Sequence, residues 1–197
     1  LQKGRWLQTQ CVAVSEEQED GSIEYLKHEG NPVIKEKDLP EHCDAYEFRD
    51  PYIWRSQDGT YRALAAAGRT GEIGEDGNYL HEKGTQLLLF RSDDCFSWEY
   101  EKVLFEDHRK IGVMWECPNF FKLDGKQILI ASPMDMHAEA DEAIGSVRFP
   151  QGSNVCCIAG EYDEETDTFT PDGGYEPVDI GLDFYAPQVM EAPDGRR

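Results

Sequence analysis

Apolar positions along the chain come in short runs. "CVAVS" (11–15), "YIWRS" (52–56), "YRALAAAG" (61–68), "TQLLLFRS" (85–92), "QILIAS" (127–132) and "VCCIAGEY" (155–162) are bounded by polar or turn-forming residues. Their length and their content of Val, Ile, Leu and aromatics predict strands. Asp58-Gly59, Asp124-Gly125 and Asp194-Gly195 punctuate the pattern, and Asp-Gly is a strong hairpin signal. No window keeps a helical period long enough to predict a helix. The expected class is all-β, built from hairpin-connected antiparallel strands.

The strands recur as a unit. "RDPYIWRSQDG", "ECPNFFKLDG" and "YAPQVMEAPDG" each place a proline after a short polar or aromatic head, then apolar residues, then Asp-Gly. The prolines are Pro51, Pro118 and Pro187, so the spacings are 67 and 69 residues. Later strands repeat too, as "LLLFRSDDCFSWEY" and "CCIAGEYDEETDTF", with an earlier copy in "CVAVSEEQEDGSIEYL". A period near this length, with about four strands per unit, predicts propeller blades with generous loops. Each blade needs neighbours to bury its faces. Residues 1–197 are therefore expected to be an incomplete propeller domain, cut at both ends. The stretches 68–84 and 134–153 read as long loops, and 29–48 as a connection between blades.

Composition narrows the partners. Hydrophobic residues make up 39% of the 197 residues, enough for a core. The formal net charge of -21 argues against nucleic acid and anionic membranes as partners. No apolar run has the length of a bilayer span, and "LQKGRWLQTQ" lacks the apolar region of a signal peptide. The six cysteines (Cys11, Cys43, Cys95, Cys117, Cys156 and Cys157) form no CxxC pair, so no zinc site or other metal centre is expected. They read as reduced thiols of a cytoplasmic protein; a secreted protein with one or two bridges is the minor alternative. Cys156 and Cys157 should point to opposite faces of their strand. The acidic stretch "EYDEETDTF" lacks the glycine of a calcium loop and reads as a solvated hairpin tip. His28, His42, His81, His108 and His137 are scattered and carry no assigned chemistry.

The repeat gives two acids a geometric meaning. Asp50 immediately precedes Pro51, and Glu116 lies two before Pro118. Equivalent positions at the start of innermost strands converge at one rim of a propeller, so the two carboxylates should approach each other there. Their offsets differ by one residue, and a one-residue slip reverses the face of a regular strand. Spacing alone therefore leaves their directions open. Paired carboxylates at a polar pocket suit glycosidic bond hydrolysis. Glu116, between Trp115 and Cys117, suits the protonated partner, and Asp50, beside Arg49, the ionised one. Trp54, Trp115 and Tyr185 offer rings for stacking on sugar faces.

"FRDPYIW" (48–54) resembles the RDP motif of glycoside hydrolase family 32, the invertases, sucrose-6-phosphate hydrolases, levanases and inulinases. "WECPNFF" resembles that family's EC motif, usually WECPDLF, and "GLDFYAPQV" (181–189) its G-x-DFYAPQ segment. "EGNPVI" and "FRSDDCFSWEY" are similar to further family segments, and all stand in family order. The resemblance implies blades 2–4 of a five-bladed propeller and a retaining β-fructofuranosidase without a cofactor. It makes Glu116 the general acid and base and Asp50 the transition-state stabiliser that binds fructose hydroxyls. Arg49 would contact both Glu116 and the sugar, while Trp115, Cys117, Asp183, Tyr185 and Trp54 would lie at the substrate pocket. The family's nucleophile is an Asp in a W-M-N-D-P-N-G motif on the first blade, and no such motif occurs in this sequence, so the chain alone is expected to be inactive. Asn119 stands where the family more often has Asp; beyond the catalytic Glu, it is expected to matter little.

Two other readings follow from the residues: an inverting pentose-acting glycosidase on a similar propeller, and a non-catalytic carbohydrate-binding propeller. The first needs carboxylates far enough apart to admit water. The second predicts sugar binding that survives Glu116→Gln without turnover. Open blade edges could also pair with another chain.

Overall fold

The computed structural model describes residues 6–69, 84–107, 111–143, 145–179, 181 and 183–197. The predicted runs all lie in or along strands. β1 (Ala13–Glu17) and β2 (Ile23–Lys27) form an antiparallel hairpin. β3 (Cys43–Arg55), β4 (Tyr61–Arg69), β5 (Thr85–Ser92) and β6 (Glu99–Asp107) follow as a four-stranded antiparallel meander. β7 (Trp115–Leu123) and β8 (Lys126–Pro133) open a second sheet, and a small hairpin of β9 (Glu139–Asp141) and β10 (Ser146–Phe149) leaves it. β11 (Cys156–Asp163) and β12 (Thr168–Pro171) complete the order β12-β11-β8-β7, with β13 (Glu176–Pro177) also on β11. The one helical element among the described residues is a 3-10 turn, Glu36–Asp38.

Local chemistry explains these elements. β7 and β8 are joined by Asp124 and Gly125 alone, both at positive φ (49° and 82°). A two-residue turn with that twist asks for such a pair. β4 and β5 are central strands covered on both faces, so they are apolar almost throughout. Their side chains still alternate. Leu64 and Ala66 face a core shared with the second sheet, where Trp115, Phe120 and Leu129 lie. Ala63, Ala65 and Ala67 face the opposite core, with Phe48, Leu88 and Phe90. Cys156 is buried and its neighbour Cys157 half-buried.

Polar bonds close the inter-sheet boundary at the end away from Glu116. Arg62, only 4% exposed, donates through Nε to the carboxylate of Asp167 at 3.1 Å. Tyr162 donates its hydroxyl to the same carboxylate. Glu164, in the β11–β12 turn, accepts from Ser56 and Gln57 of the first sheet and from Lys122 of β7. A buried guanidinium is tolerated only with such partners. The architecture is that of a β-propeller piece: two whole four-stranded blades, preceded by an exposed hairpin and followed by the 183–197 segment.

Candidate active site

The innermost strands of the two blades, β3 and β7, break their ladders at matching places. The register shifts between Arg49 and Tyr52 in one and between Glu116 and Asn119 in the other. Each is a bulge, one extra residue that re-aims the side chains around it. The residue before the proline lies in the left-handed region in both: Asp50 at φ 58° and Cys117 at φ 48°. Ala186, before Pro187, does the same at φ 53°. Non-glycine residues adopt this region at a cost and only where surroundings hold them there. Three successive repeats therefore share one backbone device. It aligns Arg49 with Glu116 and Tyr185, and Asp50 with Cys117 and Ala186.

That alignment answers the one-residue offset of the sequence. Asp50 and Glu116 do not occupy equivalent positions; the partner equivalent to Glu116 is Arg49. Arg49 Nη1 donates to Glu116 Oε1 at 2.8 Å, and the Tyr185 hydroxyl donates to Glu116 Oε2 at 2.8 Å. Both carboxylate oxygens are thus held, each by a neighbouring repeat. The rest of the Arg49 fork is anchored as well, through Nη2 to Glu47 and through Nε to Gln8 Oε1 at 3.2 Å. Gln8 Oε1 also accepts from the Phe48 N–H at 2.8 Å. Burial alone would lower the Arg49 pKa, but the hydrogen bond to Glu116 and the charges of Glu47, Glu116 and Asp50 outweigh it and raise it. Burial, with the Glu116 carboxylate, pushes the Tyr185 phenol upward, so it stays a neutral donor.

The direction of Glu116 follows from its neighbour. Trp115 is 1% exposed, stacks on Phe105 at 5.4 Å, and donates its ring N–H to the Ile111 carbonyl at 3.1 Å. Its backbone N–H donates to the Thr85 hydroxyl of β5 at 3.0 Å. With Trp115 fixed in the inter-blade core, strand alternation turns Glu116 to the opposite side. Gly112 sits at φ 68° where an added Cβ would lie 2.6 Å from the Met134 carbonyl, so only glycine fits the approach to this strand.

Asp50 reaches the same strand by another atom pair. Its Oδ2 accepts from the Cys117 N–H at 3.0 Å, with the Cys117 Sγ at 3.6 Å. Burial first, and then the Asp50 charge, push the Cys117 thiol up to about 11.

Other predicted residues are placed differently. Trp115 has no free ring face for a sugar, because the core takes both. Trp54 lies five residues beyond Arg49 on β3, packed against Phe120 at 5.5 Å and edge-on to Tyr162 at 6.4 Å. Both rings take part in blade packing; burial closes Trp115 to a sugar, which corrects its expected stacking role, while Trp54 stays half-buried. Asp183 is exposed, two residues ahead of Tyr185, and makes no bond to Glu116. Asn119 is fully buried and spends every polar atom of its side chain. Gln8, Glu47 and Ser132 had no signal beyond position, although Glu47 lies two residues from Arg49 on one strand face. His81 and His108 lie outside the described residues, as does most of the 68–84 loop. Among the described residues no group of His, Cys, Asp and Glu is arranged to hold a metal ion.

Fold and site define a β-propeller domain with a hydrogen-bonded carboxylate where successive repeats converge. Residues 2–197 match the Glycosyl hydrolases family 32 N-terminal domain, and the chain belongs to glycoside hydrolase family 32. It is 30% identical over 192 residues to the sucrose-6-phosphate hydrolase of Vibrio alginolyticus, covering 96% of this chain and 34% of that one. It is 35% identical over 150 residues to the Escherichia coli sucrose-6-phosphate hydrolase, covering 76% and 28% respectively. Among solved structures, the Bombyx mori GH32 beta-fructofuranosidase superposes with a TM-score of 0.70 at 28% identity, covering 94% of this chain and 38% of that one. A mutant of that enzyme is described in complex with sucrose. The chain spans about a third of the length of the curated relatives it matches.

Proposed function

We propose that the protein to which this chain belongs hydrolyses β-fructofuranosides by a retaining double displacement, with Glu116 as acid and then base. The substrate class is sucrose, sucrose 6-phosphate and fructans. The observation that carries this reading is the Arg49–Glu116–Tyr185 chain, which holds both oxygens of one carboxylate from two sides. The names of the relatives and the sucrose complex of the Bombyx mori enzyme support the substrate class.

The residues fit the steps. In the first, the carboxylate of an Asp outside this chain attacks the anomeric carbon of the fructosyl unit. The glycosidic C–O bond breaks, and its electron pair goes to the leaving oxygen, which takes the proton of Glu116. In the second, Glu116 takes a proton from water. The water oxygen attacks the same carbon, and the ester bond to the enzyme breaks. Glu116 must therefore be stable in both protonation states. Tyr185 allows this, because its hydroxyl has a second acceptor, the Ser132 carbonyl at 3.4 Å. When Glu116 carries a proton on Oε2, the Tyr185 O–H can turn to Ser132 and its oxygen can accept from Glu116. Arg49 stabilises the carboxylate that forms as the leaving group departs. Asp50 accepts sugar hydroxyls through the lone pairs its bond to Cys117 leaves free.

Residues 1–197 on this reading are the middle blades of a five-bladed propeller, inactive alone because they carry no W-M-N-D-P-N-G nucleophile motif. Six free thiols support a reducing, cytoplasmic compartment. Proton NMR of the first product from full-length protein and sucrose tests the mechanism: β-fructofuranose is expected to appear first. The α anomer appearing first would contradict retention.

A further inference from the structure

Tyr185 reaches Glu116 from a segment with little to hold it. No backbone ladder among the described residues pairs positions 183–197. Two buried side chains of the preceding blade grip its backbone, while Gln188 itself bonds Cys117 and Tyr185 bonds Ser153. Asn119 Nδ2 donates to the Pro187 carbonyl at 3.0 Å and to the Cys117 carbonyl at 2.9 Å, and Asn119 Oδ1 accepts from the Val189 N–H at 2.8 Å. Ser132 Oγ accepts from the Ala186 N–H at 3.2 Å. Asn119 and Ser132 are both 0% exposed. The bonds all fall just C-terminal to Tyr185, at Ala186, Pro187 and Val189. A primary amide is the one small side chain that can donate twice and accept in such a plane. A carboxylate there would face two carbonyl oxygens.

We propose that Asn119 is a positioning residue for the Glu116 chemistry: it fixes the 186–189 backbone so that the Tyr185 hydroxyl meets Glu116. The proposal rests on the fructosidase reading for its kinetic consequence and on geometry alone for its structural one. Asn119 makes no hydrogen bond to Glu116 or Tyr185; its bond to the Cys117 carbonyl offers a second route to Glu116, and coupling to Tyr185 distinguishes the 186–189 route from that one. Residues acting through one another show non-additive effects, whereas independent structural damage multiplies.

The test is a double-mutant cycle in the full-length protein with sucrose as substrate. Asn119→Ala is expected to lower kcat by roughly 10- to 100-fold, the scale of small misplacements of a catalytic group, with KM changed far less. Tyr185→Phe should cost about the same, and the double variant no more than Tyr185→Phe alone. Multiplicative losses would overturn the proposal. Should Asn119→Ala fail to fold, Ser132→Ala removes the other grip and must show the same non-additivity with Tyr185→Phe. A second readout needs no turnover. The 13Cζ resonance of labelled Tyr185, identified by its loss in Tyr185→Phe, should shift and broaden in Asn119→Ala; an unchanged signal overturns the proposal. Absence of hydrolysis by the wild-type protein would instead sink the fructosidase reading and leave the resonance test to decide this one.

Discussion

Arg49 and Glu116 occupy the same position in successive blades, and the guanidinium of one donates to the carboxylate of the other at 2.8 Å. Three atoms of the Arg49 fork are used, towards Glu116, Glu47 and Gln8. A lysine ammonium is a point charge and cannot reproduce that planar set. Arg49→Lys should therefore lower kcat/KM on sucrose by about 100-fold, the worth of one preorganised charged donor. Thermal unfolding of the same variant should stay within a few degrees of wild type. A variant with wild-type kcat/KM would show that the fork is dispensable.

Asp50 tests the neighbouring layer. Its left-handed backbone (φ 58°) is one that asparagine tolerates well, so Asp50→Asn keeps the fold and the acceptor for the Cys117 N–H. What it removes is the charge that the proposed mechanism sets beside the sugar. We expect kcat/KM to fall by roughly 10²- to 10³-fold with little change in melting temperature. Equal losses in stability and activity would mark Asp50 as a backbone anchor only.

Cys117 gives a pH dependence. Only the thiolate alkylates, and the thiol is pushed up to about 11 by burial and by Asp50. The raised value means the neutral thiol persists through physiological pH. Alkylation by iodoacetamide should then be slow near pH 8 and rise about tenfold per pH unit until it levels off near 11. The exposed Cys11 should be labelled first. Mass spectrometry of peptides after timed labelling reads this; rapid modification of Cys117 at pH 7 would contradict the environment described.

The far side of the blade boundary is a matter of stability. Asp167→Ala leaves the nearly buried Arg62 with the Asp58 carboxylate at 3.4 Å and the neutral Thr60 hydroxyl, and takes a partner from Tyr162. Breaking a buried pair from one side is expensive, and we expect a loss of about 2–4 kcal/mol in chemical denaturation. A change below about 0.5 kcal/mol would place the pair among exposed bridges of little worth.

The sequence carried the blades well and the site only in part. The strands were legible because β4, β5, β8 and β11 are apolar runs between turn signals, and Asp124-Gly125 closes its hairpin as that dipeptide requires. The site residues Arg49, Asp50, Glu116 and Tyr185 were legible through the repeat and the family motifs. Their alignment was not, because a bulge and a left-handed residue before each proline leave no mark that a period-two reading can see. Trp115 misled for a related reason: aromatic character does not say which side of a strand faces solvent, and Trp115 is buried in the inter-blade core. Asn119 was passed over because its worth lies in bonds to Pro187 and Val189, about 70 residues away in sequence.

The central claim is that Glu116 protonates the leaving oxygen and later deprotonates water. Glu116→Gln keeps the volume and a hydrogen-bonding oxygen but cannot hold or take the proton. In the full-length protein, this variant should hydrolyse sucrose about 10²- to 10⁴-fold more slowly than wild type, the usual worth of general acid–base catalysis. It should release fluoride from β-fructofuranosyl fluoride in a near-normal first-turnover burst, because fluoride departs without a proton. Sucrose hydrolysis at the wild-type rate, or loss of the burst in a folded variant, would contradict the account.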